Sequence, residues 1–188
     1  GEYEQGFPLF VELKKKYPNH KLVLSFFSPS GYEVKKTNSI ADVIVYLPID
    51  TYNNCKKFID IINPEIVVFV KSEIWPNYLN EIKKRNIKSI LICAIYNTSQ
   101  MKYSILKKAV LKFDYIFTQD EKSKDLFKSI GHNNVFNSGD TRFDRVSLSK
   151  TLNEDVDYIK KFLSEKDCLI AGSTWGKDHE IITNYINH

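Results

Sequence analysis

Glu73 and Trp75 lie in the segment Lys71-Ser72-Glu73-Ile74-Trp75-Pro76-Asn77, immediately after the apolar run Ile66–Val70. A short β-branched run of this kind predicts a buried strand of a parallel sheet. Residues leaving such a strand stand at its carboxyl end, where open α/β sheets bind ligands. The carboxylate and the tryptophan there are candidates for a site, and the tryptophan could instead simply roof the core. Glu2 follows Gly1 and precedes a helical pattern, so it is either a capping acid favoured by the helix dipole or a general base at a strand-to-helix turn. Ser28-Pro29-Ser30-Gly31-Tyr32 places small residues after another strand pattern. Their amides could bind an anionic or hydroxyl-rich ligand, or Ser30 could cap a helix.

Two further segments are of the same kind. In Gly139-Asp140-Thr141-Arg142-Phe143-Asp144, Arg142 could pair with a phosphate or carboxylate of a ligand, or internally with Asp140 or Asp144. Gly172-Ser173-Thr174 puts small hydroxyl residues between a strand pattern and a helix, without the glycine count and lysine of a P-loop. The histidines at 20, 132, 179 and 188 form no metal-ligand spacing and no Ser-His-Asp arrangement. His179 alone is near a proposed site and reads as a surface residue. The basic clusters 14–16 and 83–85 lack the aromatic interleaving of a single-strand nucleic-acid groove and read as solvated helix faces.

Seven strand patterns must position these residues: 21–27, 43–47, 66–70, 89–93, 115–118, 135–137 and 168–171. Amphipathic stretches separate them, with Tyr52, Cys55, Phe58, Ile59 and Ile62 on one helical face and Leu106, Ala109, Val110 and Phe113 on another. Strands alternating with helices predict a parallel sheet covered on both faces, a Rossmann-like α/β fold. The first element is instead a helix with Phe10, Leu13 and Tyr17 on its apolar face, Pro8 near its first turn and a stop at Tyr17-Pro18. Because a βα sheet opens with a strand, its first strand is expected to lie upstream of Gly1. The polar stretch 147–157 and a helix carrying Ile159, Phe162 and Leu163 predict a domain boundary within 147–166. Residues 1–150 form one domain, and 151–188 form a linker helix and the first strand-helix unit of a second, truncated one.

Hydrophobic content of 43% over 188 residues is ample for a core, and a formal charge of +4 is ordinary for a soluble protein. Cys55, Cys93 and Cys168 are odd in number and widely spaced, so reduced packing residues are expected and a zinc site is not. No apolar run is long enough to span a bilayer.

Taken in order, these motifs resemble the Kdo transferases, which add 3-deoxy-D-manno-octulosonic acid to the lipid A precursor of lipopolysaccharide. Gly1-Glu2 looks like the second half of that family's Ser-x-Gly-Glu turn, and 73–77 reproduces its Glu-Ile-Trp-Pro-Asn segment. Gln119-Asp120, Gly131 and 139–144 follow its pattern, and Ala171 to Thr174 matches its Ala-Gly-Ser-Thr. Lys71 and the Asp140-Thr141-Arg142 sequence depart from the commoner residues. The resemblance implies a GT-B glycosyltransferase, with this chain as its acceptor-side, N-terminal domain. It implies CMP-Kdo as donor and a lipid A precursor hydroxyl as acceptor, with Glu2 as the base of an inverting displacement. It implies acceptor binding by Gly1, Ser30, Gly31, Glu73 and Trp75, and donor binding by Arg142, Gly172, Ser173 and Thr174. No metal or other cofactor is expected. The parent would work at the cytoplasmic face of a bacterial inner membrane, with no nucleic-acid partner, and this piece alone would be soluble and inactive. The rivals are a different GT-B enzyme, such as a nucleotide-sugar epimerase, and a non-catalytic Rossmann-like module. The second is weakened by the absence of a Gly-x-Gly-x-x-Gly fingerprint.

Overall fold

The structure is a computed structural model that describes residues 1–37, 39–150, 162 and 168–187. The chain divides into two compact units, Gly1–Thr151 and Leu152–His188.

The first unit alternates helices and strands: α1 (Glu2–Lys16), β1 (Val23–Phe26), α2 (Pro29–Lys35), β2 (Val43–Tyr46), α3 (Tyr52–Ile62), β3 (Ile66–Val70), α4 (Pro76–Lys84), β4 (Lys88–Ala94), a 3-10 turn (Gln100–Lys102), α5 (Ser104–Val110), β5 (Tyr115–Thr118), α6 (Glu121–Ser129), β6 (Val135–Asn137) and α7 (Arg142–Lys150). Every strand pairing is parallel. Parallel neighbours require a crossover, and the helices supply it. The strands form two sheets rather than one, a pair β1-β2 and a four-stranded sheet β3-β4-β5-β6.

Local chemistry explains the elements. The α1 helix carries Glu2 and Glu4 in its first turn and Lys14, Lys15 and Lys16 in its last, matching the helix dipole at both ends. Its start at Glu2 puts Pro8 inside the helix rather than near the first turn, where the ring denies the Glu4 carbonyl its intrahelical donor. Thr51 caps α3 by accepting from the Asn54 amide, and Asp120 caps α6 by accepting from the Ser123 amide at 2.7 Å.

The apolar core lies mainly on the larger sheet. Cys55 and Ile59 of α3, Tyr78, Leu79 and Ile82 of α4, Leu91 of β4, Ile116 of β5 and Phe127 of α6 are buried together. A second, smaller cluster joins Tyr3 and Phe10 of α1 to Leu24 of β1, with Phe26, Ile44 and Val70 packed against it.

The second unit contains α8 (Gly176–Ile186). The expected strand at 168–171 is not formed, and Leu169 and Ile170 lie exposed. A strand needs a ladder partner, and the described residues of this unit contain no other strand. Cys168 is likewise exposed, unlike buried Cys55 and Cys93, so it is not the packing residue its type suggests. Ile159 and Leu163 lie outside the described residues.

Candidate active site at the carboxyl edge of the sheets

In the first unit, α1 begins where β1 and β3 end. Gly1, Glu2, Ser30, Gly31, Glu73 and Trp75 all line one end of a single cleft of about 1020 Å³. The residues for which the resemblance implies base and acceptor roles therefore line the same cleft.

Two carboxylates in this group have opposite electrostatics. Glu2 lies in the first turn of α1, and its own backbone N–H, then Lys71, hold its carboxyl below the ordinary 4.5. The Lys71 ammonium stands 3.6 Å from Glu2 Oε1. Lys71 reaches that place from a left-handed backbone, φ 64°, directly after β3. Glu73 is half-buried, and that burial raises its pKa, with the negative charge of Glu2 adding to the rise. Trp75 Nε1–H donates to Glu73 Oε2 at 2.7 Å and opposes the shift. The indole also packs on Phe27, with ring centroids 5.0 Å apart. Trp75 therefore both packs against the core and orients an acid at its rim. Close carboxylates with diverging pKa values are the arrangement by which a site keeps one group charged and another able to hold a proton.

Pro29, Ser30 and Gly31 form the first turn of α2 rather than a loop. Ser28 precedes the helix without a side-chain cap bond, so Ser30 is not the cap, and the hydroxyls of Ser28 and Ser30 lie 2.8 Å apart. Gly31 is required by packing: a Cβ there would come within 2.6 Å of the Phe26 ring.

Arg142 takes its internal option. It grips Asp140 through Nε at 2.8 Å and Nη2 at 2.5 Å, while its amide donates to the same carboxylate. Gly139, at φ 77°, turns the chain into this pair, which a side chain would oppose. Thr141 ties the turn down by donating to the Gln5 carbonyl at 2.6 Å, with Cys93 Sγ 3.1 Å away. Asp140 is lowered by Arg142 first and also feels Lys71.

Gly172, Ser173 and Thr174 belong to the second unit. Ser173 has φ 56°, and the Thr174 hydroxyl is 2.8 Å from His179 Nε2, so His179 fixes this turn. The Trp175 amide donates to Asp178 Oδ2 at the start of α8.

Other motif residues prove architectural. Asn77 donates its side-chain amide to the Asp50 carbonyl at 2.7 Å, and the Asn77 and Tyr78 amides donate to the Asp50 carboxylate at 3.2 and 3.0 Å. Asp50 thereby caps α4 from the loop after β2. Gln119 donates to the Cys93 carbonyl. Sequence reasoning passed over Lys71 and Tyr96 as members of the site and Asp50 as its support. Tyr96 is buried beside Ser72 and Glu73, and burial pushes its phenol up. The signal for all three was the one that found Glu73: each follows a strand by a few residues. No group of three or more His, Cys, Asp or Glu placed to hold a metal occurs among the described residues.

A family model described as 3-deoxy-D-manno-octulosonic-acid transferase (kdotransferase) matches residues 1–145. The chain belongs to that family. A 3-deoxy-D-manno-octulosonic acid transferase of Aquifex aeolicus is 31% identical over 76% of this chain and 38% of its own length. The Haemophilus influenzae transferase is 25% identical over 97% and 44%. A bifunctional glycosyltransferase/methyltransferase of Fusobacterium nucleatum is 29% identical over 93% of this chain and 29% of its own. The chain thus spans less than half the length of these relatives. Two solved structures share its fold: UDP-N-acetylglucosamine 2-epimerases from Listeria monocytogenes (TM-score 0.62, 14% identity, covering 86% of this chain and 47% of that one) and Rickettsia bellii (0.61, 17%, 87% and 48%). The Rossmann-like GT-B architecture is therefore that of this Kdo-transferase family member, and the family is one of glycosyltransferases.

Proposed function

We propose that this chain is the acceptor-side part of an enzyme that transfers Kdo from CMP-Kdo to a hydroxyl of the lipid A precursor in lipopolysaccharide core biosynthesis. Glu2 carries the reading. Its carboxylate is charged at neutral pH, stands at the carboxyl edge of both sheets, and shares its cleft with Glu73 and Trp75. An acceptor hydroxyl placed there attacks the anomeric carbon of Kdo as its proton passes to Glu2. The carbon–oxygen bond to CMP breaks on the opposite face, and the configuration inverts. A positioned base of this kind contributes roughly 10²–10⁴-fold.

The leaving phosphate needs positive partial charge without proton transfer. The amides of Gly172, Ser173 and Thr174, at the turn before α8, are the proposed source. Arg142 is the lesser candidate, because Asp140 already compensates its charge. Ser30, Gly31 and Trp75 shape the acceptor side. The working location is the cytoplasmic face of the inner membrane; among the described residues no helix is long and apolar enough to cross a membrane.

Glu73 is the alternative base, favoured by its raised pKa, since a group closer to neutrality takes up a proton more readily. The full-length enzyme, incubated with CMP-Kdo and a lipid A precursor, is expected to release CMP with a matching mass gain on the lipid. Glu2→Ala should lower turnover by about 10²–10⁴-fold with folding intact. Normal turnover by Glu2→Ala together with loss in Glu73→Gln would move the base to Glu73. Turnover of another nucleotide sugar, with none from CMP-Kdo, would overturn the donor assignment.

A further inference from the structure

An ulosonic acid carries its carboxylate directly on the anomeric carbon. A hydroxyl that gives its proton to Glu2 while attacking that carbon therefore brings two negative charges within about 6 Å of each other. Like charges at that range oppose the approach, so a cation must stand beside both. Two cations of the region are already occupied. The Arg142 guanidinium grips Asp140. The Lys35 ammonium is 3.1 Å from Glu4 Oε1 and lies 4.3 Å from the centre of the Tyr3 ring.

Lys71 is placed differently. Its ammonium stands 3.6 Å from Glu2 Oε1, too far for a hydrogen bond, and this is its one ion pair among the described residues. The side chain is 38% exposed, so three N–H donors beside the base are open to a ligand. Directly after β3 the Lys71 backbone takes φ 64°, uncommon for a residue with a side chain. Its own N–H donates to the Ile92 carbonyl at 2.8 Å, so the ladder to β4 fixes that turn. Strain of this kind persists where the surroundings over-determine it, and it gathers at ligand sites. Asp140 also feels the Lys71 charge. The two departures from the family's commoner residues thus meet in one place, where Asp140 occupies Arg142 and Lys71 keeps donors to spare. On the donor assignment made above, we propose that Lys71 binds the carboxylate of the donor sugar and so makes the site selective for a sugar acid. The ammonium bridges that carboxylate and Glu2, and the anomeric carbon is presented to the acceptor hydroxyl from a fixed side. A neutral sugar gains nothing from this contact.

The test uses the full-length enzyme and its Lys71→Met and Lys71→Arg variants, assayed with CMP-Kdo and with the analogue whose carboxylate is a primary amide. The parent should favour the acid over the amide by roughly 10–100-fold in kcat/KM, the range of a hydrogen bond to a charged group. Lys71→Met should lower kcat/KM for CMP-Kdo by a similar factor, change little for the amide, and leave inhibition by CMP unaltered. Lys71→Arg should recover most of the discrimination. An acid preference that survives Lys71→Met would overturn the inference while leaving Kdo transfer in place. Equal losses with both donors would overturn it too, because Lys71 would then serve only to hold Glu2. A loss confined to the acceptor KM would give Lys71 to an acceptor phosphate and would also overturn it. No acid preference in the parent would do so without any variant. Failure of the parent to use CMP-Kdo at all would remove the donor assignment, and the Lys71 contact with it.

Discussion

The two sheets of the first unit differ in how completely they are built. The β3–β6 sheet has covered faces and a core that runs from Cys55 to Val135, and β4 is buried at every position from Leu91 to Ala94. The β1-β2 pair has one buried residue, Leu24, and its cluster holds two more, Tyr3 and Phe10. A two-stranded sheet is marginal by itself, and this one depends on α1 for its cover. The candidate site draws on both regions. Glu73 and Trp75 come from the well-packed sheet, whereas Glu2 and the Ser30-Gly31 turn come from the sparsely packed side. The acid held closer to neutrality is thus anchored firmly, and the charged one is carried by the part of the molecule with the weaker support.

That contrast can be broken in several ways. The largest expected effect is on activity: Glu2→Ala in the full-length enzyme should lower turnover by about 10²–10⁴-fold, with an unfolding midpoint close to that of the parent. A collapse of the midpoint would mean that Glu2 is chiefly a support for α1. Next is packing. Leu79→Ala in the large core should cost about 3 kcal/mol in denaturant unfolding, while Leu24→Ala should fall at or below ~2 kcal/mol, because its surroundings can close around the void. Equal costs would erase the distinction between the two regions. Asp50→Ala should remove about 1–2 kcal/mol, since the Asn77 and Tyr78 amides lose their acceptor. Tryptophan fluorescence should report the change through Trp75.

The smallest effect is a pH dependence confined to the larger sheet. His132 is buried, with Nε2 2.9 Å from the Phe113 carbonyl, and burial lowers its pKa below the ordinary 6.5. The neutral ring is favoured in the folded state, so its contribution is complete above pH 6.5 and is lost as the pH falls below that value. Thermal midpoints should therefore decline between pH 7 and pH 5, and His132→Gln should flatten the slope. The bond to the Phe113 carbonyl, and after it the charge of Asp114, oppose the shift and keep the effect small.

The sequence was legible where its period was strong. The β3 run, the Cys55–Ile59 face of α3 and the carboxyl-end position of Glu73 follow from residue order alone, because strand apolarity and helical spacing are local properties. The pairing of strands is not local. Nothing in 21–27 or 66–70 shows that these strands stand apart across a cleft. The helix start at Ser28-Pro29 was hidden by small residues that suit turns equally well. Arg142 had two chemically equivalent partners in reach, a ligand anion or Asp140, and only geometry separates them. Asn77 was visible as part of a distinctive segment, yet its work is to hold Asp50, a residue 27 positions away. The strand pattern at 168–171 failed for a simpler reason: apolar residues form a strand only beside another one.

Asp50 ties the sheets in a way that bears on how the site could be tuned. It sits beyond β2 on the sparse side, receives the first amides of α4 on the dense side, and accepts from the Cys55 thiol at 3.2 Å. Tyr78 adds a second strut by donating to the Pro48 carbonyl at 3.0 Å. Load applied to one side therefore passes to the turn that carries Trp75 through a short, stiff linkage. Asp50 thus holds the start of α4, directly after Trp75, whose indole N–H donates to Glu73. A change in the 48–50 loop would therefore be felt at the start of α4 on the other side of the cleft without altering Glu2 or Glu73 themselves.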